Sequence, residues 1–115
     1  SRRMKLKQVA EKVCLDFITE AEAENCEVTG GYASDLLSDV MANSKKGDLW
    51  ITLQVHHNII AVATLRELAG IVIIGGKKPA EDTIEKAREE GVPLLICDSP
   101  GYEVCGRLYE LGIHG

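Results

Sequence analysis

The chain has 115 residues, of which 45% are hydrophobic and 27% charged, proportions that are ordinary for a globular domain and exclude a disordered chain. Thirteen Lys and Arg against eighteen Asp and Glu give a net charge of −5. This sign disfavours a nucleic-acid partner, because nucleic-acid affinity comes largely from basic side chains that neutralise phosphates. No apolar run approaches the roughly 20 residues that a membrane helix needs, so we expect a soluble protein without a membrane partner.

The cysteine pattern indicates the compartment. Cys14, Cys26, Cys97 and Cys105 form no C-x-x-C pair and have no zinc-type spacing. We expect buried, reduced thiols and a cytoplasmic location, with a redox or metal-binding use as the alternative. The length fits one domain, predicted over residues 4–115, and residues 1–3 ahead of Met4 are predicted to be a remnant of an expression vector.

The first half of the chain predicts two helices and three short extended or turn segments. Apolar residues at helical spacing predict a helix over 4–14 and a second helix that ends at Asn43. Between them we predict a strand over 15–19, a turn over 20–25, and a strand over 26–29 that runs directly into Gly30-Gly31.

The second half alternates more clearly. Residues 49–55 predict a strand, and the uninterrupted apolar runs 71–74 and 94–97 predict strands that are covered on both faces. Helices are predicted to start at Pro79 and Pro100. Residues 58–68 are ambiguous, because β-branched residues favour a strand there, whereas the approach to Gly70 is typical of a helix end; we predict a helix.

The alternation of strands and helices from residue 26 onward predicts the fold class. We expect an α/β three-layer sandwich, with a mostly parallel sheet of about four to five strands flanked by helices. The order of the strands in the sheet does not follow from the sequence.

Ligands of open parallel sheets bind beyond the carboxyl ends of the strands, and four polar clusters are predicted to lie there. They begin at Thr29, Gln54, Gly75 and Asp98. The candidate ligand-binding residues are Thr29, Gly30, Gly31, His56, Asn58 and Gly76. Glycines before a helix can bind an anion, although a tight turn is the commoner reason for them. The lysines after Gly76 can bind a phosphate or line a solvated loop.

Neither a metal site nor a catalytic site is predicted. The adjacent residues His56 and His57 point in different directions on any regular element and cannot share one ion, so they are predicted to start a helix, with one of them possible in a pocket. No nucleotide-binding glycine fingerprint and no nucleophile–base pair is present, and no cofactor is predicted.

The predicted helix over 58–68 is apolar on nearly every side. A helix packed on one face of a sheet normally has a polar outer stripe, so we expect a second copy of the chain to cover it. The predicted dimer interface consists of Ile59, Ile60, Val62 and Ala63.

The segment 27–41, with its continuations 47–52 and 58–63, resembles the signature region of DRTGG-domain proteins. Thr29-Gly30-Gly31 match the last three positions of the motif that names the family, whereas Glu27 and Val28 stand where it has Asp and Arg. The resemblance covers nearly all of the chain after Met4. It implies an α/β sandwich similar to the amino-terminal domain of HPr kinase/phosphorylase, and a role in assembly or regulation beside catalytic or nucleotide-sensing modules.

The sequence therefore predicts a non-catalytic regulatory or protein-interaction domain that is homodimeric and modulates a partner enzyme. The alternative is a sensor domain that binds a nucleotide or another small anionic ligand at the carboxyl-edge loops. An enzyme is the third interpretation. Kinase activity does not follow from the resemblance, because no P-loop is present.

Overall fold

The computed structural model describes residues 3–19 and 25–115, which contain seven strands and five helices. The strands are β1 (Met4–Lys5), β2 (Asp16–Thr19), β3 (Glu27–Val28), β4 (Gly30–Ala33), β5 (Asp48–Thr52), β6 (Gly70–Ile73) and β7 (Leu94–Ile96). The helices are α1 (Leu6–Val13), α2 (Leu37–Asn43), α3 (Asn58–Arg66), α4 (Glu81–Glu90) and α5 (Gly101–Glu110).

The main sheet has five strands in the order β2-β7-β6-β5-β4. Strands β4 to β7 are parallel to one another, and only β2 is antiparallel, at the edge beside β7. A register shift interrupts the pairing of β2 with β7, and there the buried Thr19 hydroxyl donates to the Val92 carbonyl oxygen (2.8 Å) and accepts from the Leu94 amide (2.9 Å). The predicted mostly parallel sheet is confirmed.

The two faces of the sheet carry separate cores, as the predicted three-layer fold requires. Helices α1 and α5 contribute to one core, together with sheet residues such as Leu49, Val72 and Leu95. Helices α2, α3 and α4 contribute to the other core, in which Trp50 and Ile71 are fully buried. Because β5, β6 and β7 lie inside the sheet with helices on both sides, their apolar runs show no polar alternation.

The chain changes faces once at the carboxyl ends of the strands. The connection after β6 leads to α4 on one face, whereas the connection after β7 leads to α5 on the other face. Adjacent strands whose connections leave toward opposite faces form the position where open α/β sheets bind ligands.

The segment around the glycine pair differs from the prediction. The expected strand over 26–29 is the two-residue β3, which pairs with β1 in a separate antiparallel ribbon. Gly30 and Gly31 then begin β4, the edge strand of the main sheet. The ribbon forms because Met4 and Val28 bury their side chains in the core under α1 and α5.

The remaining elements lie close to their predicted positions. Residues 58–66 form a helix, and its left-handed end is at Glu67 rather than at the predicted Gly70, which instead starts β6. The helices expected from Pro79 and Pro100 begin at Glu81 and Gly101. Most of the predicted turn over 20–25 lies outside the described residues, as do residues 1 and 2 of the predicted vector remnant.

The four cysteines carry free thiols. Cys97 is buried and Cys105 half-buried, as expected, whereas Cys14 and Cys26 are exposed, so the prediction of buried thiols is wrong for these two. Cys14 follows the last residue of α1 in a left-handed conformation. Of the helices in the described ranges, none is both long and apolar enough to cross a membrane.

Candidate functional site

Three of the four predicted polar clusters lie together at the carboxyl edge, the loops that follow β5, β6 and β7. His56 and Asn58 follow β5, and Gly76 follows β6, the neighbouring parallel strand. The first loop is tied to the start of α4, because the Val55 carbonyl oxygen accepts from the Thr83 hydroxyl (2.7 Å) and from the Ala80 amide (3.3 Å).

The fourth cluster lies at the opposite edge. Gly30 pairs with Asp48, the first residue of β5, so Thr29, Gly30 and Gly31 lie at the amino ends of the parallel strands. About four residues of strand, roughly 13 Å, separate this position from the carboxyl edge. The expectation that all four clusters share one edge is therefore wrong, because Gly30 and Gly31 belong to a strand and not to a strand-to-helix turn.

Packing explains why Gly30 is a glycine. A Cβ atom at this position would lie 2.6 Å from Asp48 Oδ1 and 3.0 Å from the His114 carbonyl oxygen. The Asp48 carboxylate is buried and held in place, since its Oδ2 accepts from the Lys45 amide at 2.8 Å. Asp48 and the His114 main chain therefore occupy the space beside Gly30 where the sensor hypothesis expects an anion.

The crevice between β6 and β7 is bridged by the main chain. Gly75 and Gly76 have positive φ values of 70° and 72°, which favour glycine. The Gly75 amide donates to the Ser99 carbonyl oxygen (3.0 Å) and the Gly76 amide to the Cys97 carbonyl oxygen (3.1 Å). Both N–H groups therefore serve the fold and are not available to an anion.

Exposed charged side chains surround these glycines. Lys77 and Lys78 are exposed, and so is Asp98. Arg107 Nη1 donates to the Ser99 hydroxyl at 3.2 Å. The carboxyl edge thus offers cationic groups on exposed, flexible side chains. The Asp98 carboxylate lies close to Gly76, because a Cβ added at Gly76 would be 3.6 Å from Asp98 Oδ1.

His56 caps the start of α3, as predicted for a polar residue at a helix start. Its Nδ1 accepts from the Asn58 amide at 3.1 Å, and its ring lies 4.1 Å from the His57 ring, measured between centroids. In residues 3–19 and 25–115, no three His, Cys, Asp or Glu side chains are placed to hold a metal ion together.

Two aspartates near the end of β4 organise this region. From the sequence, Asp35 is only a candidate cap for the start of α2, and Asp39 has no predicted role. Asp35 Oδ1 accepts from the Thr52 hydroxyl (2.9 Å) and the Leu53 amide (2.7 Å), so it caps the end of β5 rather than a helix. The approach of the next strand creates this role, which no local pattern encodes.

The second aspartate, Asp39, accepts from the Tyr32 hydroxyl at 2.9 Å through both of its oxygens. Hydrogen bonds from Ser34, Asn43 and Tyr32, in that order of importance, hold the pKa of Asp39 below its usual range. The same carboxylate, mainly as hydrogen-bond acceptor, raises the pKa of Tyr32. This pair fastens α2 to the edge strand and leaves no free acid or base there.

The predicted dimer interface is buried inside the chain itself. Ile59, Ile60, Val62 and Ala63 point into the core formed by α2, α3, α4 and the sheet. Helix α3 lies between α2 and α4, which explains why it is apolar on nearly every side. These four side chains cannot contact a second copy while the chain is folded, so this interface prediction is wrong.

An exposed apolar surface lies instead on the opposite face of the sheet. Tyr102 and Tyr109 of α5 are 90% and 63% exposed. A hollow of about 100 Å³ opens between α5 and β4, lined by Gly31, Ala33, Ile51, Cys105, Leu108 and Ile113 among others. Burial raises the pKa of the Cys105 thiol, which keeps it protonated and makes it a poor nucleophile.

Comparisons with known proteins were made by sequence and by structure. No protein-family model matches the chain, and no curated protein matches it in sequence. A solved structure matches its fold with a TM-score of 0.72 and 12% sequence identity, over 90% of this chain and 45% of the other. That structure contains the CBS and DRTGG domains of the regulatory region of Clostridium perfringens pyrophosphatase, complexed with the activator diadenosine tetraphosphate.

The fold is similar to part of this neighbour's structure. At 12% identity the likeness shows the fold alone, and the chain spans less than half of the neighbour's length. The α/β architecture that the DRTGG resemblance implied is confirmed. The matched neighbour belongs to a regulatory and not to a catalytic part of its enzyme.

Proposed function

We propose that the chain is a regulatory domain of the DRTGG type, which self-associates and modulates a partner enzyme. The fold likeness to a regulatory region is the observation that carries this proposal. The match of Thr29-Gly30-Gly31 to the end of the family motif supports it. So does the site geometry, because the carboxyl edge holds exposed lysines and a capping histidine rather than a nucleophile beside a base.

The experiment is a functional reconstitution. The tagged chain is crosslinked in its own cells, the captured enzyme is purified, and its turnover is measured with and without an equimolar amount of the chain. We expect kcat or KM of that enzyme to change severalfold. Unchanged turnover of every captured enzyme, or turnover by the chain alone, would contradict the regulatory role.

The second candidate function is a sensor of a nucleotide or another small anion. It is favoured by the nucleotide activator present in the neighbour's structure. Only His56, Asn58 and Gly76 of the predicted ligand residues lie at the carboxyl edge, where Lys77 and Lys78 are exposed beside them. We therefore assign the sensor site to these residues, without Thr29, Gly30 or Gly31.

A thermal-shift screen tests the sensor function with diadenosine tetraphosphate, ATP, AMP and inorganic phosphate as probes. A ligand at about 100 times its Kd stabilises the folded state by ~2.7 kcal/mol. A ligand that binds at this edge no longer stabilises the protein when Lys77 and Lys78 are both replaced by Ala. It still stabilises the Lys45→Ala variant, the control at the amino edge. A flat response to all four probes rules out these ligands and leaves the regulatory proposal standing.

A further inference from the structure

The two edges of the main sheet differ in their protection against an added strand. At one edge, β2 carries the exposed Asp16, and a register shift interrupts its pairing with β7. Charged residues and such irregularities are the usual means by which a sheet edge avoids pairing with another chain. At the other edge, β4 has the sequence Gly-Gly-Tyr-Ala and pairs with β5 in an uninterrupted register. With neither charge nor proline nor bulge, β4 is open to a further strand.

The main chain of β4 has unpaired hydrogen-bonding groups along this edge. The Ser34 amide donates to the Ile51 carbonyl oxygen of β5 at 3.2 Å. Alternate residues of a strand turn their main-chain groups to opposite sides, so those of Gly31 and Ala33 point away from β5. No hydrogen bond joins them to another group of the described chain. An extended strand is the element whose own donors and acceptors match this spacing.

The hollow between α5 and β4 adjoins the same two residues. Gly31 has no side chain and Ala33 only a methyl group, so a volume of about 100 Å³ stays unfilled beside them. A dry protein cavity of roughly 150 Å³ binds benzene, so this hollow has room for one branched aliphatic side chain. Residues paired across two strands share a face of the sheet. A side chain opposite Gly31 or Ala33 therefore points into the hollow.

The chain itself borders the hollow at one end. Gly115 lines it, and a Cβ added at Gly115 would lie 3.4 Å from the Gly31 carbonyl oxygen. Ala33, at the other end of β4, is exposed. An added strand therefore enters at Ala33.

We infer that β4 binds an extended segment of a partner protein as a sixth strand of the main sheet, with one large apolar side chain of that segment in the hollow. This inference rests on the regulatory function proposed above and assigns the surface that binds the partner. In this mode of recognition, main-chain hydrogen bonds supply affinity and the pocket supplies specificity.

The size of the edge selects a short segment rather than a second folded copy of the chain. β4 is four residues long, or roughly 13 Å. Contact along such an edge is far smaller than the roughly 1,200–2,000 Å² that a stable interface between folded proteins buries. A peptide segment needs only the edge and the hollow.

Peptide selection tests the inference with a defined probe. Random peptides of about eight residues, long enough to span β4 with extended flanks, are displayed on phage and selected against the chain. We expect the enriched peptides to share one large aliphatic or aromatic residue. The affinity of a synthetic enriched peptide is then measured by fluorescence anisotropy. Replacing its shared residue by Ala should weaken binding at least tenfold, because the burial of that side chain is lost.

Variants of the chain locate the bound peptide. Ala33→Pro removes the outward amide and no bond to β5, and proline is tolerated at such an edge position. It should weaken binding at least tenfold, whereas Ala33→Ser, the matched control that keeps the amide, should leave the affinity unchanged. Cys105→Phe fills the hollow and should also weaken binding at least tenfold. In that variant the peptide and its Ala version should bind equally, because the two changes act on one contact. The fluorescence of the buried Trp50 in urea verifies that each variant is folded.

The outcomes separate this inference from the proposed function. Selection that enriches no peptide overturns the inference, and so do peptides that bind Ala33→Pro and Cys105→Phe as tightly as the wild type. In the reconstitution, we expect the captured enzyme to lose its response when the chain carries Ala33→Pro. A response that survives this substitution overturns the β4 surface and leaves the regulatory role standing. Peptides that bind at β4 while no enzyme responds to the wild-type chain support the strand site and overturn the regulatory role.

Discussion

Gly30→Ala tests whether the glycine pair serves packing. The new Cβ would lie 2.6 Å from Asp48 Oδ1, about 0.4 Å inside the shortest distance of about 3.0 Å that real Cβ atoms show, and 3.0 Å from the His114 carbonyl oxygen. Asp48 cannot turn aside without weakening its bond to the Lys45 amide. We expect the free energy of unfolding to fall by about 1–3 kcal/mol, the usual cost of overpacking a filled site.

Gly31→Ala is the matched control. A Cβ there would lie 3.6 Å from the Leu49 carbonyl oxygen and 4.0 Å from Ile113 Cγ2, which are ordinary contacts. We therefore expect a change within about 0.5 kcal/mol. Asp48→Ala removes the closest clashing oxygen, so the cost of Gly30→Ala measured in the Asp48→Ala background should be smaller by about 1 kcal/mol.

Urea denaturation followed by tryptophan fluorescence measures these differences. The chain has one tryptophan, and Trp50 is fully buried, with its indole N–H donating to the Ser34 carbonyl oxygen at 2.8 Å. Its emission therefore reports loss of the core. Equal stability of Gly30→Ala and the wild type, or a larger cost for Gly31→Ala, would refute the packing argument.

Three other predictions concern the core and the acid stability. Thr19→Val leaves a buried amide and a buried carbonyl oxygen without their partner, so urea denaturation should show a loss of about 1–3 kcal/mol. Ile60→Ala should cost about 2–5 kcal/mol, because the side chain is in the core, and sedimentation should show unchanged association of the folded protein. The pKa of Asp39 is lowered in the folded state, so its contribution to stability is complete above its unfolded value of 3.8 and is lost as the pH falls through the folded value. Tyr32→Phe removes one of its hydrogen bonds, and the loss of stability on acidification should become smaller in pH-dependent denaturation.

The architecture follows from the sequence because its signals are local. The apolar runs at residues 71–74 and 94–97 are covered on both faces of the sheet in the structure. Residues 58–66 form the predicted helix despite their β-branched residues, although Gly70, whose position favoured that prediction, starts β6 instead of ending the helix. Element ends shifted by one to three residues, as where the strand predicted over 49–55 ends at Thr52, because element ends depend on contacts such as that between His56 and the Asn58 amide.

The candidate site was less predictable because it depends on strand order and on contacts distant in sequence. A glycine pair after an apolar segment fits both a turn and an edge strand, and only the approach of Asp48 and His114 to Gly30 decides between them. The burial of α3 between two helices follows from the strand order. Its apolar surface was therefore mistaken for an interface, and the exposed tyrosines of α5 were given no role.

Hydrogen–deuterium exchange tests most directly the claim that this chain acts by binding another protein surface. The exchange is compared between about 1 and 100 µM protein, a range that brackets micromolar affinities. The account predicts that amide protection rises with concentration in at least one exposed segment of the described residues. Exchange that is independent of concentration throughout the described residues would contradict it.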